Sequence, residues 1–141
     1  MTKIRRLVFP SSIKDIEHYT FFDCVNLQYV DLKAVRKIKR LNINFHGATN
    51  LETLLLGDGV EVIEKIYLES DKLEELVVPN SVKYIGDSAF IFCNQLRQLV
   101  FSGEGLETIG ELAFSSSGLE SFKAPASLKK IGDFAFSDDI V

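Results

Sequence analysis

Residues 73–94 read Leu73-Glu74-Glu75-Leu76-Val77-Val78-Pro79-Asn80-Ser81-Val82-Lys83-Tyr84-Ile85-Gly86-Asp87-Ser88-Ala89-Phe90-Ile91-Phe92-Cys93-Asn94, and the spacing inside this stretch decides the fold. Leu73, Leu76 and Val78 stand at positions one, four and six. Positions four and six fall on one side of a short strand, and position one turns inward at its start, so the three predict the inner wall of a coil. Pro79 lacks the donor that a strand requires and ends it, while Asn80-Ser81 supply turn chemistry. Val82 and Ile85, β-branched and three apart, predict a second short extended segment that reaches back into the core. Gly86 is expected to permit a backbone conformation that a side chain resists. Ala89 is small enough for one coil to approach the next, and Phe90 is expected to fill the interior, worth about 1.5–3 kcal/mol if fully buried.

Working outward, the pattern recurs. Alignment on Ile4, Leu27, Leu51, Leu73, Leu96 and Leu119 gives intervals of 23, 24, 22, 23 and 23 residues, a period that predicts a solenoid. Six units account for nearly every residue, so 1–141 reads as a single domain with repeats starting near 4, 27, 51, 73, 96 and 119. The sixth unit keeps Leu119, Phe122, Ala124, Pro125, Ser127, Leu128, Ile131, Gly132, Ala135 and Phe136. One aromatic slot explains why the chain has eleven Phe and no Trp: units one, four, five and six fill it with Phe21, Phe90, Phe114 and Phe136, and unit three offers Leu68 after Tyr67. Unit five carries an extra residue in Ser102-Gly103-Glu104-Gly105. Unit two departs most, with Lys33 where unit four has Pro79, and Leu41-Asn42-Ile43-Asn44-Phe45 without the Gly or Ala. Its convex side is expected to be irregular, the mark of a decayed repeat more than of a specialised one.

The pattern Leu73-x-x-Leu76-x-Val78-Pro79-x-Ser81-Val82-x-x-Ile85-Gly86-x-x-Ala89-Phe90-x-x-Cys93, its second half repeated at Ile131-Gly132-x-x-Ala135-Phe136, resembles the BspA-like, or treponemal-type, leucine-rich repeat family over almost the whole chain. The resemblance implies a parallel-sheet solenoid that binds proteins or matrix components, commonly on microbial cell surfaces. The expected fold is an α/β-type repeat solenoid: a parallel β-sheet on the concave face, short second strands, and irregular or short helical turns on the convex side.

Candidates for catalysis are sparse. His18 takes the repeat position of Asp87 and Asp133, expected to be exposed on the outer turn, and His46 falls in unit two without the further ligands that a zinc site needs. Cys24 and Cys93 occupy the same position of units one and four, which puts them about 14 Å apart, beyond disulfide reach. Both read as small residues closing a coil, and neither has a base in prospect. Ser115-Ser116-Ser117-Gly118 lacks a nucleophile-elbow pattern. Glu52, Glu74 and Glu75 are expected on an open sheet in water, where no burial raises the pKa of one carboxyl as glycoside hydrolysis requires. The chain is therefore read as no enzyme, with no cofactor and no metal.

Binding is the remaining class. Positions two, three and five of each first strand face outward or sit at its margin, and among them Leu55, Val77 and Val100 form an apolar stripe near Tyr29, Glu74, Glu75 and Arg97. Either this is the apolar centre of a protein interface with a polar rim, or β-branched residues are there because they suit an exposed sheet. The expected partner-binding set is Tyr29, Asp31, Thr53, Leu55, Glu75, Val77, Gln98 and Val100, and the expected partner is a protein. Charge offers an alternative: residues 1–50 hold nine Lys/Arg against four Asp/Glu, whereas 51–141 hold seven against sixteen. The basic run 33–40, with Lys33, Arg36, Lys37, Lys39 and Arg40, could contact phosphates, yet no aromatics are interleaved with it and a solvated face accounts for it as well. A third class is structural self-assembly through the ends of the solenoid, in the simplest case a homodimer through a terminal repeat, for which Phe134 and Phe136 would supply apolar surface unless Ile140 and Val141 fold back over it; a domain cut from a longer array is the other explanation of such an end. With neither a signal-like apolar region nor a membrane-spanning run, the sequence as written is expected in the cytoplasm without membrane insertion. The resemblance implies a secreted or cell-surface location instead.

Overall fold

The computed structural model describes residues 2–138. The chain winds through coils that each carry up to two short strands. The first strands are β1 (Arg6–Val8), β2 (Tyr29–Asp31), β4 (Thr53–Leu55), β6 (Glu75–Val78) and β8 (Gln98–Phe101), and the second strands are β3 (Arg40–Leu41), β5 (Val62–Ile63), β7 (Tyr84–Ile85), β9 (Thr108–Ile109) and β10 (Lys130–Ile131). Every pairing is parallel, and equivalent residues of successive repeats lie side by side: Leu7, Val30 and Leu54 along the first strands, then Ile63, Ile85, Ile109 and Ile131 along the second. The second strands form one sheet in the order β10-β9-β7-β5-β3, while the first strands form two, β1-β2-β4 and β6-β8.

The one, four, six spacing builds the wall expected of it in the middle repeats. Leu27, Val30 and Leu32, then Leu51, Leu54 and Leu56, then Leu73, Leu76 and Val78 are all buried, together with Val82, Ile85, Ala89 and Phe90. The aromatic slot becomes two stacks of rings. Phe90 lies 5.3 Å from Phe114, and Phe114 lies 5.6 Å from Phe136, each pair nearly coplanar. Phe21 stacks at 5.1 Å on Phe45, so unit two also fills the slot, although it lacks the Gly and Ala around it.

Helical turns do not form, and the α/β-type assignment is overturned: the described residues contain no helix. A helix needs successive right-handed residues that bond four positions back along their own chain. Here left-handed residues recur on the convex side at Ser88, Leu112 and Phe134, with φ of 56°, 57° and 56°, and again at Asp23, Phe92 and Ser116. Alternate amides are thereby turned toward the next coil. Ser88, Phe90 and Phe92 donate to the carbonyls of Glu111, Ala113 and Ser115 at 2.8, 2.8 and 3.1 Å, and Leu112, Phe114 and Ser116 donate to Asp133, Ala135 and Ser137 at 3.0, 2.8 and 2.7 Å. Bonds between coils take the place of bonds within a helix, and the fold is a parallel β-solenoid throughout.

Gly86 serves a purpose other than the one expected. Its φ is not positive; a Cβ there would come 2.8 Å from the Ile63 carbonyl oxygen, so the residue is small because the preceding coil is close. No helix of the described residues is long and apolar enough to cross a membrane.

Candidate functional site

Along β6 the pleat separates core from surface: Leu76 and Val78 are buried, Glu75 is exposed, and Val77 keeps 40% of its surface in solvent. Val77 pairs in register with Val100, and Glu75 with Gln98, which sets two of the expected contact residues beside two others. Thr53, Leu55 and Val100 are half-buried, and Gln98 is exposed. Tyr29 is covered on one face by Arg6, whose guanidinium carbon is 3.6 Å from the ring centroid, and its hydroxyl donates to Asp31 at 3.4 Å. Asp31 also accepts the Lys33 amide at 2.9 Å, so this pair braces the strand end as well as facing outward.

The ladder of first strands is not continuous. Between repeats one and two, the amides of Gln28 and Tyr29 donate to the Arg5 carbonyl at 2.8 and 3.0 Å; between two and three, Glu52 and Thr53 donate to Gln28 at 2.9 and 3.1 Å; between four and five, Arg97 and Gln98 donate to Glu74 at 2.8 and 3.1 Å. Among the described residues no main-chain bond of this kind joins β4 to β6. The approach to β6 is tied down earlier instead. The Ser70 hydroxyl donates to the Leu51 carbonyl at 2.5 Å and accepts the amides of Lys72 and Leu73 at 3.1 Å each, and the Asp71 amide donates to Thr49 at 3.2 Å. A cleft of about 540 Å³ opens where the ladder is missing, lined by Glu52, Thr53, Leu54, Leu55, Asp71, Lys72, Glu74, Glu75 and Val77.

Four of the eight expected residues, Thr53, Leu55, Glu75 and Val77, therefore share one cleft. Gln98 and Val100 line a second, of about 450 Å³, with Ser121 and Lys123. Tyr29 and Asp31 belong to neither. Asp71 and Lys72 were not in the expected set; the signal that could have found them is the interval from Leu51 to Leu73, the shortest of the five at 22 residues.

The groups that could have supported catalysis are dispersed. His18 is half-buried, less exposed than its repeat position suggested, with Nδ1 3.2 Å from the Asn42 carbonyl oxygen. His46 sits on another coil, 3.0 Å from a carboxylate oxygen of Glu69, with its ring stacked on Phe22. The two cysteines are free, and burial pushes both thiols up, helped by the charge of Asp23 at Cys24 and of Glu69 at Cys93. Protonated thiols are weak nucleophiles. Within the basic run, Lys39 pairs with Glu61 at 3.4 Å, Arg40 pairs with Glu64, and Arg36 donates to the Lys33 carbonyl at 2.8 Å.

A family model described as a BspA type leucine rich repeat region of six copies matches residues 1–64 and 36–140. Among solved structures, the chain is similar to a leucine-rich repeat protein of Bacteroides ovatus (28% identity, TM-score 0.78), of which it spans 35% while 96% of this chain is covered. It is similar to the pneumococcal vaccine antigen PcpA at 28% identity and a TM-score of 0.64, over 94% of this chain and 31% of that one. A leucine rich cell surface protein of Faecalibacterium prausnitzii shares the fold at 22% identity and a TM-score of 0.77, over 96% of this chain and 36% of that one. The chain thus spans about a third of the length of each of these proteins. Among curated protein sequences none matches it.

Proposed function

The chain belongs to the BspA-type leucine-rich repeat family, a non-catalytic solenoid of the protein-interaction kind, and from that premise we propose that it binds a protein partner through the concave face of repeats three to five. One observation carries this reading: Val77, apolar and 40% exposed, pairs with Val100 and shares a cleft with Leu55, amid Thr53, Glu75 and Gln98. An apolar centre with a polar rim is the anatomy of a protein interface. Tyr29 and Asp31 extend the same face toward β1.

The test is capture from the proteome of the source organism by the intact chain and by Val77→Asp. Val77 points to solvent, so the variant should keep its circular dichroism spectrum. A protein held by the parent and lost by Val77→Asp supports the reading. One that survives Val77→Asp but is lost on neutralising Lys37 and Arg40 overturns it in favour of the basic segment. The engagement of Lys39 and Arg40 with Glu61 and Glu64 already weighs against phosphate binding there.

A homodimer through the last described coil is a second reading, favoured by Phe134 at 68% and Phe136 at 39% exposure. Ile140 and Val141, whose folding back over them was the alternative to an exposed end, lie outside the described residues. Light scattering over a dilution series should show association that Phe136→Lys removes; a monomer at every concentration, unchanged by Phe136→Lys, contradicts it.

A further inference from the structure

At the four junctions of the second-strand sheet, coils are joined by the same main-chain groups each time. At the first, the amides of Glu61 and Val62 donate to the Lys39 carbonyl at 2.7 and 3.0 Å, and that of Glu64 to Leu41 at 2.9 Å. At the last, Lys129 and Lys130 donate to Glu107 at 2.9 and 3.2 Å, and Gly132 to Ile109 at 2.8 Å. The next acceptors in the series, the carbonyls of Lys129 and Ile131, have no main-chain donor among the described residues. Beside them Ile131, Phe134 and Phe136 are exposed. The first coil holds donors at the matching positions. Asp15 and Ile16 stand eleven and twelve residues after Ile4, as Lys130 and Ile131 stand after Leu119. The amides of Lys14, Asp15 and Glu17 likewise lack an acceptor among the described residues.

In a solenoid the trailing side of one coil is shaped for the leading side of another, and a free strand edge is a template for a further strand. Two last coils brought together about a two-fold axis would set Lys129 and Lys130 of one copy against those of the other. We propose that copies of this chain associate head to tail, the last coil of one on the first coil of the next, with β10 paired in parallel to residues 14–17. The charges then fall mostly in opposite pairs. Glu120 already meets Arg97 at 2.6 Å on one side, and Arg5, at the same repeat position, meets it on the other. Lys130 meets Asp15, and Asp133 meets His18. Lys14 falls beside Lys129, whose charge Glu107 offsets at 3.3 Å, and Asp23 falls beside Asp138, both exposed to screening solvent. This proposal rests on the reading that the last coil associates, and it changes what that coil meets. The contact is heterologous, so each added copy leaves a free face and the assembly grows by further addition.

The test is a charge swap between the two ends, read by light scattering of the whole chain over a dilution series. The mass of the parent should rise with concentration past that of a dimer. Asp15→Lys and Lys130→Glu lie at exposed positions, so each should keep the circular dichroism spectrum of the parent. Each alone should weaken association by about tenfold, because like charges then meet at every junction. An equimolar mixture of the two should recover the association of the parent, since in alternating order every junction again sets a lysine against an acid. A mixture that associates no more tightly than either variant alone overturns the proposal. So does Asp15→Lys associating as the parent does while Phe136→Lys does not, an outcome that leaves the two-fold dimer through the last coil standing. A parent that stays monomeric at every concentration overturns both.

Discussion

Phe90 shows what one side chain contributes to a solenoid. It is fully buried and stacked on Phe114, so Phe90→Ala leaves a cavity whose damage passes to the coils on either side. The expected cost is about 3–5 kcal/mol, read from urea unfolding, and a change below about 1 kcal/mol would show that the ring is not an interior group. Its role was legible because the slot recurs every repeat; that of Phe45 was missed because the residues beside it break the pattern. Cys93 makes a second prediction. Burial holds its thiol well above the ordinary range, whereas in the unfolded chain it ionises near pH 8.5. Below that pH the stabilising contribution is fully present; above it the unfolded chain gives up a proton that the folded one keeps, so stability falls as pH rises. Cys93→Ala should flatten the loss of stability between about pH 8.5 and 10. The same slope in both proteins would mean that the thiol is not protected.

At the scale of the element, the two halves of each repeat were not equally readable. Positions one, four and six announce a strand because alternation is visible in residue type. The convex half carries no such announcement: its left-handed residues are Ser88, Leu112 and Phe134, none of them the glycine that marks this conformation, so short helical turns were the natural expectation. Two substitutions separate the roles assigned there. Ser88→Gly removes the strain of a side chain at φ 56° and should change stability by between zero and about 1 kcal/mol in the favourable direction. Gly86→Ala, which drives a Cβ toward the Ile63 carbonyl, should destabilise by more than about 1 kcal/mol. Thermal unfolding of the pair decides the matter. If Ser88→Gly proves the more damaging, the account of the convex turns is wrong. The break between β4 and β6 was likewise hidden, since a single short interval does not say which bond is lost.

Across the whole molecule, the sheet of second strands runs without interruption from β3 to β10, while the sheet of first strands divides after β4. The solenoid is held together along one side and opened along the other, and the opening falls within the apolar stripe. The chemistry of that stripe was legible in Leu55, Val77 and Val100; the cleft was not, because no residue type marks the missing pairing between β4 and β6. The proposed interface lies on the concave face, and the convex side supplies the control. Tyr19 is 69% exposed on a convex turn, next to Phe22 at 5.8 Å, and offers an aromatic surface of comparable prominence. The most direct measurement is the affinity of the captured partner for Val77→Asp and for Tyr19→Asp, each compared with the parent chain. Binding through the concave face predicts that Val77→Asp weakens the complex by about a hundredfold or more while Tyr19→Asp leaves it within a factor of about two. Loss on Tyr19→Asp with Val77→Asp unaffected would contradict the account and move the interface to the convex side.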